Sequence, residues 1–250
     1  MQRKHALVTG ASQGLGAHIA TRLAGEGWKV TGLGRRPADQ AAARGIDYLQ
    51  ADLADPKQLQ SLPGQLEQPF DLVVHNAVSY PAWRAGGPVA GDLEKAFAVN
   101  TYAPYTLTRA LLATKPENRL CSVVVLNSES MFHADRDSGI YAASKAALRV
   151  LTGALAEENR SHNASVSTLL LGPVADPGKV AELRTVAAKR GVDIAEITRL
   201  FLRKSNPDLV IEELIDFDAC WRSIEYIHSL GRIANGTVVR LDGGSAGSLI

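Results

Sequence analysis

Tyr141 and Lys145 stand four residues apart in Tyr141-Ala142-Ala143-Ser144-Lys145, which opens an apolar-periodic stretch running to about Arg160. On a helix this spacing puts both side chains on one face, so a phenol and an ammonium look into the same space. A free phenol titrates near pH ~10 and is a poor proton donor and acceptor at neutral pH; a cation held beside it favours the phenolate. The pair is therefore a candidate proton-transfer unit, with a solvated surface pair as the bland alternative. Two further polar groups could join it. Asn127-Ser128-Glu129-Ser130 follows an almost continuously apolar run, Leu120 to Leu126, and Asn100 interrupts an amphipathic helical pattern four residues before Pro104. A break there frees backbone groups for other partners.

The elements that must position these residues begin at the N-terminus. His5 to Thr9 reads as a short buried strand, and Gly10-Ala11-Ser12-Gln13-Gly14-Leu15-Gly16 follows at once, with a helical pattern from Leu15 to Gly25. Strand, glycine turn and helix form the context of a phosphate-binding loop. Gly10 permits the tight turn, Gly14 lets the backbone approach a pyrophosphate, and Gly16 allows close packing of helix on strand.

The next strand, Trp28 to Leu33, ends in Gly34-Arg35-Arg36, and Gly34 lies 18 residues past Gly16. At that place a carboxylate would bond a ribose 2′-hydroxyl, whereas arginines grip a 2′-phosphate. The expected cofactor is therefore NADP(H), favoured over NAD(H). Asp52 and Leu53 follow a third strand, Ile46 to Gln50, where Asp52 either accepts from an adenine amine or caps the helix near Asp55-Pro56. Asn76 and Ala77 follow a fourth strand, Phe70 to His75. The connection from Ser79 to Gly91 carries no chemistry that the sequence identifies.

A helix from Asp92 to Leu112, the strand Leu120 to Leu126, the Tyr141 helix and a strand from Ser165 to Leu171 continue the alternation. A turn-rich segment, Gly172 to Gly178, contains Val174. Strands alternating with helices predict a parallel sheet with right-handed crossovers. The fold expected is α/β, a Rossmann-like doubly wound, seven-stranded parallel sheet with helices on both faces. It forms a single domain over 1–250, with a dinucleotide-binding half of about 1–130 and a catalytic and substrate half of about 131–250. A helical substrate lid of about 177–210 has Val180, Leu183, Val186 and Ala187 on one face and a turn at Gly191. A last helix, Glu212 to Leu230, and a strand, Thr237 to Leu241, close the sheet.

Composition narrows the partners. Lys plus Arg number 27 against 26 Asp plus Glu, with no long run of one sign, which argues against nucleic acid and membrane surfaces. Cys121 and Cys220 are too few for a disulfide framework, and Cys121 reads as a small buried hydrophobe. The N-terminal apolar run is too short for a signal peptide or a span, so a cytoplasmic location is expected. No metal site is expected.

In these motifs the chain resembles the short-chain dehydrogenase/reductase family over essentially its whole length. The family's Thr-Gly-x-x-x-Gly-x-Gly stands as Thr9 to Gly16, its Tyr-x-x-x-Lys as Tyr141 to Lys145, and its serine as Ser128, thirteen residues upstream. Its asparagine matches Asn100 and its adenine-site acid Asp52. Two motifs depart: His75-Asn76-Ala77-Val78 replaces Asn-Asn-Ala-Gly, and Leu171-Gly172-Pro173 replaces Pro-Gly, without the threonine that usually follows.

The resemblance implies that Ser128 orients a substrate carbonyl and that Tyr141 gives or takes the proton. It also implies that Lys145 lowers the tyrosine pKa and holds the nicotinamide ribose, and that Asn100 anchors a water for proton resupply. Ser12, Gln13, Asn76, Ala77, Gly172 and Val174 would line the cofactor. The segments Ala188 to Asp193 and Asn206-Pro207 look like the corresponding stretch of 3-hydroxybutyrate dehydrogenases and 3-oxoacyl reductases.

Ser130 and His133, with Glu129, would face the substrate and make its site polar. The function expected is NADPH-dependent reduction of a small 3-oxo or polyhydroxylated carbonyl substrate. The alternatives are an NAD(H)-linked alcohol dehydrogenase of a hydroxy acid or polyol, and a non-catalytic NADP(H)-sensing regulator. A homodimer or homotetramer is expected from family habit and from Ala146, Ala147, Leu148, Leu151 and Leu155 on the Tyr141 helix.

Overall fold

The computed structural model describes residues 3–41, 43–81, 89–133 and 138–245. Seven strands form one all-parallel sheet: β1 (His5–Thr9), β2 (Lys29–Gly34), β3 (Asp47–Gln50), β4 (Leu72–His75), β5 (Cys121–Ser128), β6 (Ala164–Leu171) and β7 (Val238–Leu241). Their order is β3-β2-β1-β4-β5-β6-β7, so the winding reverses between β1 and β4. A reversal opens a crevice beyond the carboxyl ends of the two strands, where ligands bind in such sheets.

Alternating residues feed opposite cores. Ala6, Val8, Val124 and Leu126 pack with Ile19 and Leu23 of α1 (Gly14–Gly25) and with Trp221, Ile224 and Ile227 of α8 (Phe217–Ser229). Leu7, Val123 and Val125 face the other way. They pack with Leu62 of α2 (Pro56–Gln65), Leu107 and Leu111 of α4 (Ala103–Thr114), and Leu148 and Leu155 of α5 (Gly139–Glu158). A strand buried on both faces must be apolar throughout, which is why β5 reads as one continuous apolar run. Cys121 and Cys220 are free and buried, and burial pushes both thiols up to about 12.

The helix expected from Asp92 divides into α3 (Asp92–Phe97), a π turn (Ala98–Tyr102) and α4. After β6, α6 (Pro177–Arg190) and α7 (Ile194–Ser205) pair around Leu183, Ala187 and Ile197, with Gly191 at φ 67° making the turn between them. Several boundaries differ from expectation, two of them at helix starts. The final helix starts at Phe217, not Glu212, because Ile215 pairs with Val174 and the Asp216 carboxylate caps the helix by accepting from the Ala219 N–H. The Tyr141 helix begins at Gly139, so Tyr141 lies inside its first turn.

Candidate active site

Beyond the carboxyl ends of the strands lies a cavity of about 1050 Å³. One end is built by the glycine turn, and its geometry fits a dinucleotide phosphate. A Cβ on Gly16 would lie 2.3 Å from the Gly10 carbonyl oxygen, and one on Gly10 would lie 2.9 Å from Ala77 Cα, so neither position admits a side chain. Gly10 and Gly14 take φ of 72° and 56°. Gln13 at the N-cap of α1 makes no side-chain capping bond and no acid stands in the first turn. The uncapped N–H groups of Gly14, Leu15 and Gly16 are thus the donors an anion needs.

Ser12, Gln13, Gly14, Leu15, Asp52 and Leu53 all line this end with Arg35 and Arg36. Asp52 does not cap α2. Asp55 does, accepting from the N–H groups of Lys57 and Gln58, while Asp52 Oδ1 accepts from Ala54 N at 3.0 Å. Arg35 and Arg36 are exposed and form no ion pair among the described residues. Gly34 is walled in: a Cβ there would lie 2.4 Å from Tyr48 Oη and 3.1 Å from Ser12 Cβ. Tyr48 itself donates to the Arg36 carbonyl at 3.0 Å.

Asn76 ties β4 to β1, donating through Nδ2 to the Thr9 carbonyl at 3.1 Å, while Asn76 N and Ala77 N both donate to Thr9 Oγ1. Gly172 is pressed on the Asp242 backbone, where a Cβ would meet the carbonyl oxygen at 2.7 Å. Together with Val174 and Asp176 it lines the middle of the cavity.

At the far end Tyr141, Ser128 and Lys145 come together. Ser128 lies close enough to the Tyr141 hydroxyl to favour its ionised form. Ser128 Oγ lies 2.6 Å from Ser130 Oγ. Lys145 Nζ sits 5.9 Å from the Tyr141 ring centroid and donates to the Leu126 carbonyl at 2.9 Å. Burial lowers the Lys145 pKa to about 8.

The tyrosine runs opposite to the expected direction. Burial holds the Tyr141 phenol well above its ordinary value; the neighbouring Tyr80 and Glu129 add to the rise and Ser128 opposes it. Removing a phenolate from water outweighs a cation held across the ring face.

Asn100 is buried outside the large cavity. Its Oδ1 accepts from Ser79 N at 2.7 Å, and its Nδ2 donates to the Ser79 carbonyl at 2.9 Å and to Ser144 Oγ at 3.0 Å. A second space of about 10 Å³ touches both Asn100 and Lys145, room for about one water.

Two contacts escaped the sequence. Tyr80, within the connection read as inert, stacks on Tyr141 with centroids 4.1 Å apart. No spacing signals a stack made by a loop's path. Asn206, at the end of α7, reaches back to Glu129 Oε2 at 2.9 Å, and His133 meets the same oxygen at 2.6 Å. His133 is thus paired, not a solvated loop side chain.

A seven-stranded parallel sheet carrying a glycine-turn phosphate site and a Ser-Tyr-Lys cluster defines a nicotinamide-dependent oxidoreductase. Residues 4–185 match the short chain dehydrogenase family, and the chain belongs to it. An oxidoreductase of Bacillus subtilis without an assigned substrate is 27% identical, over 98% of this chain and 96% of its own. The D-erythrulose reductase of Gallus gallus is 31% identical, over 66% of this chain and 69% of its own. A 4-hydroxyisoleucine dehydrogenase complexed with NADH shares the fold, with TM-score 0.78 and 19% identity, over 98% of this chain and 99% of its own.

Among the described residues no helix is long and apolar enough to cross a membrane, and no group of three or more His, Cys, Asp or Glu could hold a metal ion.

Proposed function

We propose that this protein is an NADPH-dependent carbonyl reductase acting on a small 3-oxo or polyhydroxylated substrate. The observation that carries the reading is one continuous cavity. It joins two unpaired arginines, beside a Gly34 whose Cβ position is crowded by Tyr48 and Ser12, to Ser128, Tyr141 and Lys145.

The uncapped N–H groups of α1 hold the pyrophosphate, Arg35 and Arg36 hold a 2′-phosphate, and Asp52 faces the adenine. The cofactor, when bound, supplies the hydride. Ser128 Oγ donates to the substrate oxygen and fixes its position. Tyr141, kept protonated by burial, gives that oxygen its proton, which suits it to the reducing direction. Lys145 keeps its charge below about pH 8 and can return a proton through the space it shares with Asn100.

The α6–α7 pair brings Lys179, Phe201 and Ser205 to the cavity wall and serves as the lid. Assembly into a dimer or tetramer would use the outer face of α5. There Val150 is exposed and Ala146, Ala147 and Leu151 are partly so, whereas Leu148 and Leu155, counted toward that face from sequence, belong to the core.

The test is fluorescence titration with NADPH and NADH of wild type, Arg35→Ala and Tyr141→Phe, followed by turnover. NADPH should bind more tightly than NADH, and Arg35→Ala should remove the difference. Tyr141→Phe should bind NADPH normally yet lose about 10²–10⁴-fold in rate. Equal binding of both cofactors by wild type would overturn the NADPH assignment.

A further inference from the structure

Glu129 is 4% exposed, the residue after Ser128, and a wall of the cavity. A carboxylate in such a place must be bonded or it is costly. Both of its protein bonds end on one oxygen: His133 Nε2 and Asn206 Nδ2 meet Oε2 at 2.6 and 2.9 Å. Oε1 carries no bond among the described residues and is not sealed in the core.

The group is also held in place. Asn206 Nδ2 donates to Ser245 Oγ at 2.8 Å as well, and its Oδ1 accepts from Asp208 N at 3.0 Å. One amide thereby fixes Glu129 to the end of α7 and to the chain beyond β7. Glu129 lines the same cavity as Ser128 and Tyr141, where a carbonyl would be reduced.

We infer that Glu129 Oε1, with His133 beside it, is the second anchor of the substrate and accepts a hydrogen bond from a substrate hydroxyl. The substrate is then an uncharged hydroxy-ketone or keto-polyol whose hydroxyl lies one or two carbons from the reacting carbonyl. A substrate carboxylate is disfavoured. It would face Glu129 and also Asp176, another carboxylate on the wall. The nearby Lys179 is engaged with Glu182 at 2.6 Å and lies over the Phe201 ring. This inference rests on the carbonyl reductase reading and narrows its two substrate classes to one.

Three four-carbon ketones separate the possibilities with NADPH as reductant: erythrulose, which is hydroxylated; 2-butanone, which is bare; and acetoacetate, which is anionic. Wild type should prefer erythrulose. In Glu129→Gln, which keeps the volume and an acceptor for His133, the kcat/KM ratio of erythrulose to 2-butanone should fall about tenfold or more, mainly through KM, because a bond to a charged acceptor is lost. The ratio of acetoacetate to 2-butanone should rise.

His133→Leu, at a half-exposed position, should lower the erythrulose ratio in the same direction and guards against a folding defect in the first variant. Preference of wild type for acetoacetate, or an unchanged erythrulose ratio in Glu129→Gln, overturns the inference. If no ketone is reduced, calorimetric titration with erythritol decides separately. Erythritol binding that Glu129→Gln abolishes upholds the subsite and refutes the reductase reading. Absence of erythritol binding to wild type overturns the subsite.

Discussion

Gly34→Asp would install the carboxylate that an NAD-binding strand end carries, and the structure says what stands in its way. The new Cβ would lie 2.4 Å from Tyr48 Oη, 3.1 Å from Ser12 Cβ and 3.2 Å from Ser12 Oγ. The tyrosine must move, and in moving it gives up its 3.0 Å bond to the Arg36 carbonyl. Overpacking of this kind costs about 1–3 kcal/mol, and the lost bond about 1 kcal/mol more. A total of about 2–4 kcal/mol corresponds to a fall in melting temperature of roughly 5–10 °C for a chain of this size.

Tyr48→Phe removes the obstructing oxygen at a cost of about 1 kcal/mol. The double variant should therefore be less destabilised than the two single changes summed, by about 1–2 kcal/mol of coupling. Urea unfolding gives the four stabilities, and nicotinamide fluorescence gives the affinities for NADH and NADPH. Gain of NADH binding should require both substitutions. If Gly34→Asp alone is as stable as wild type and binds NADH tightly, the wall formed by Tyr48 and Ser12 does not set the cofactor.

Three further outcomes can be checked directly. Tyr80→Phe removes a neighbouring hydroxyl that raises the Tyr141 pKa, so the pH at which reduction falls off on the alkaline side should move downward; an unmoved limb would show that Tyr80 does not tune the phenol. Burial holds the His75 imidazole at about 3 against an ordinary 6.5, so the unfolded chain takes its proton first and stability falls as pH drops from 6.5 toward 3. At pH ~5 the loss is about 2 kcal/mol, and His75→Asn should flatten the change in urea midpoint between pH ~7 and ~5. Sedimentation of the purified protein should give a dimer or tetramer, and a monomeric mass would remove the role proposed for the outer face of α5.

The sheet was legible because each of its causes is local. Apolar runs end in glycine turns, and alternation with helices dictates a parallel order. Boundaries failed where contacts across the fold compete with periodicity. Ile211, Leu214 and Ile215 mimic a helix face, yet Ile215 N donates to the Pro173 carbonyl at 2.9 Å and the helix waits for its cap at Asp216. Phe70 and Asp71 read as strand, and although β4 begins at Leu72, Asp71 N still donates to the His5 carbonyl and the Asp71 carbonyl accepts from Ser122 N.

Ser128, Tyr141 and Lys145 announce themselves by spacing, since a strand end and one helical turn suffice to bring them together. Tyr80 and Asn206 do not, because each reaches the site from an element distant in sequence. The direction of the Tyr141 shift was hidden too, for it depends on how deeply the ring is buried, which no motif records.

The π turn at Ala98–Tyr102 makes the length of the chain part of the site's specification. A π turn holds one residue more than the α turn it replaces, and one residue is about 100° of helical rotation. Deleting Tyr102 would leave a sound helix of nearly the same composition. It would also swing Asn100 and everything before it around the axis, away from Ser79, and Ser79 leads directly to Tyr80. The proton-transfer cluster thus depends on a count as well as on identities, and a frame-preserving deletion at this turn would test the site more severely than most substitutions.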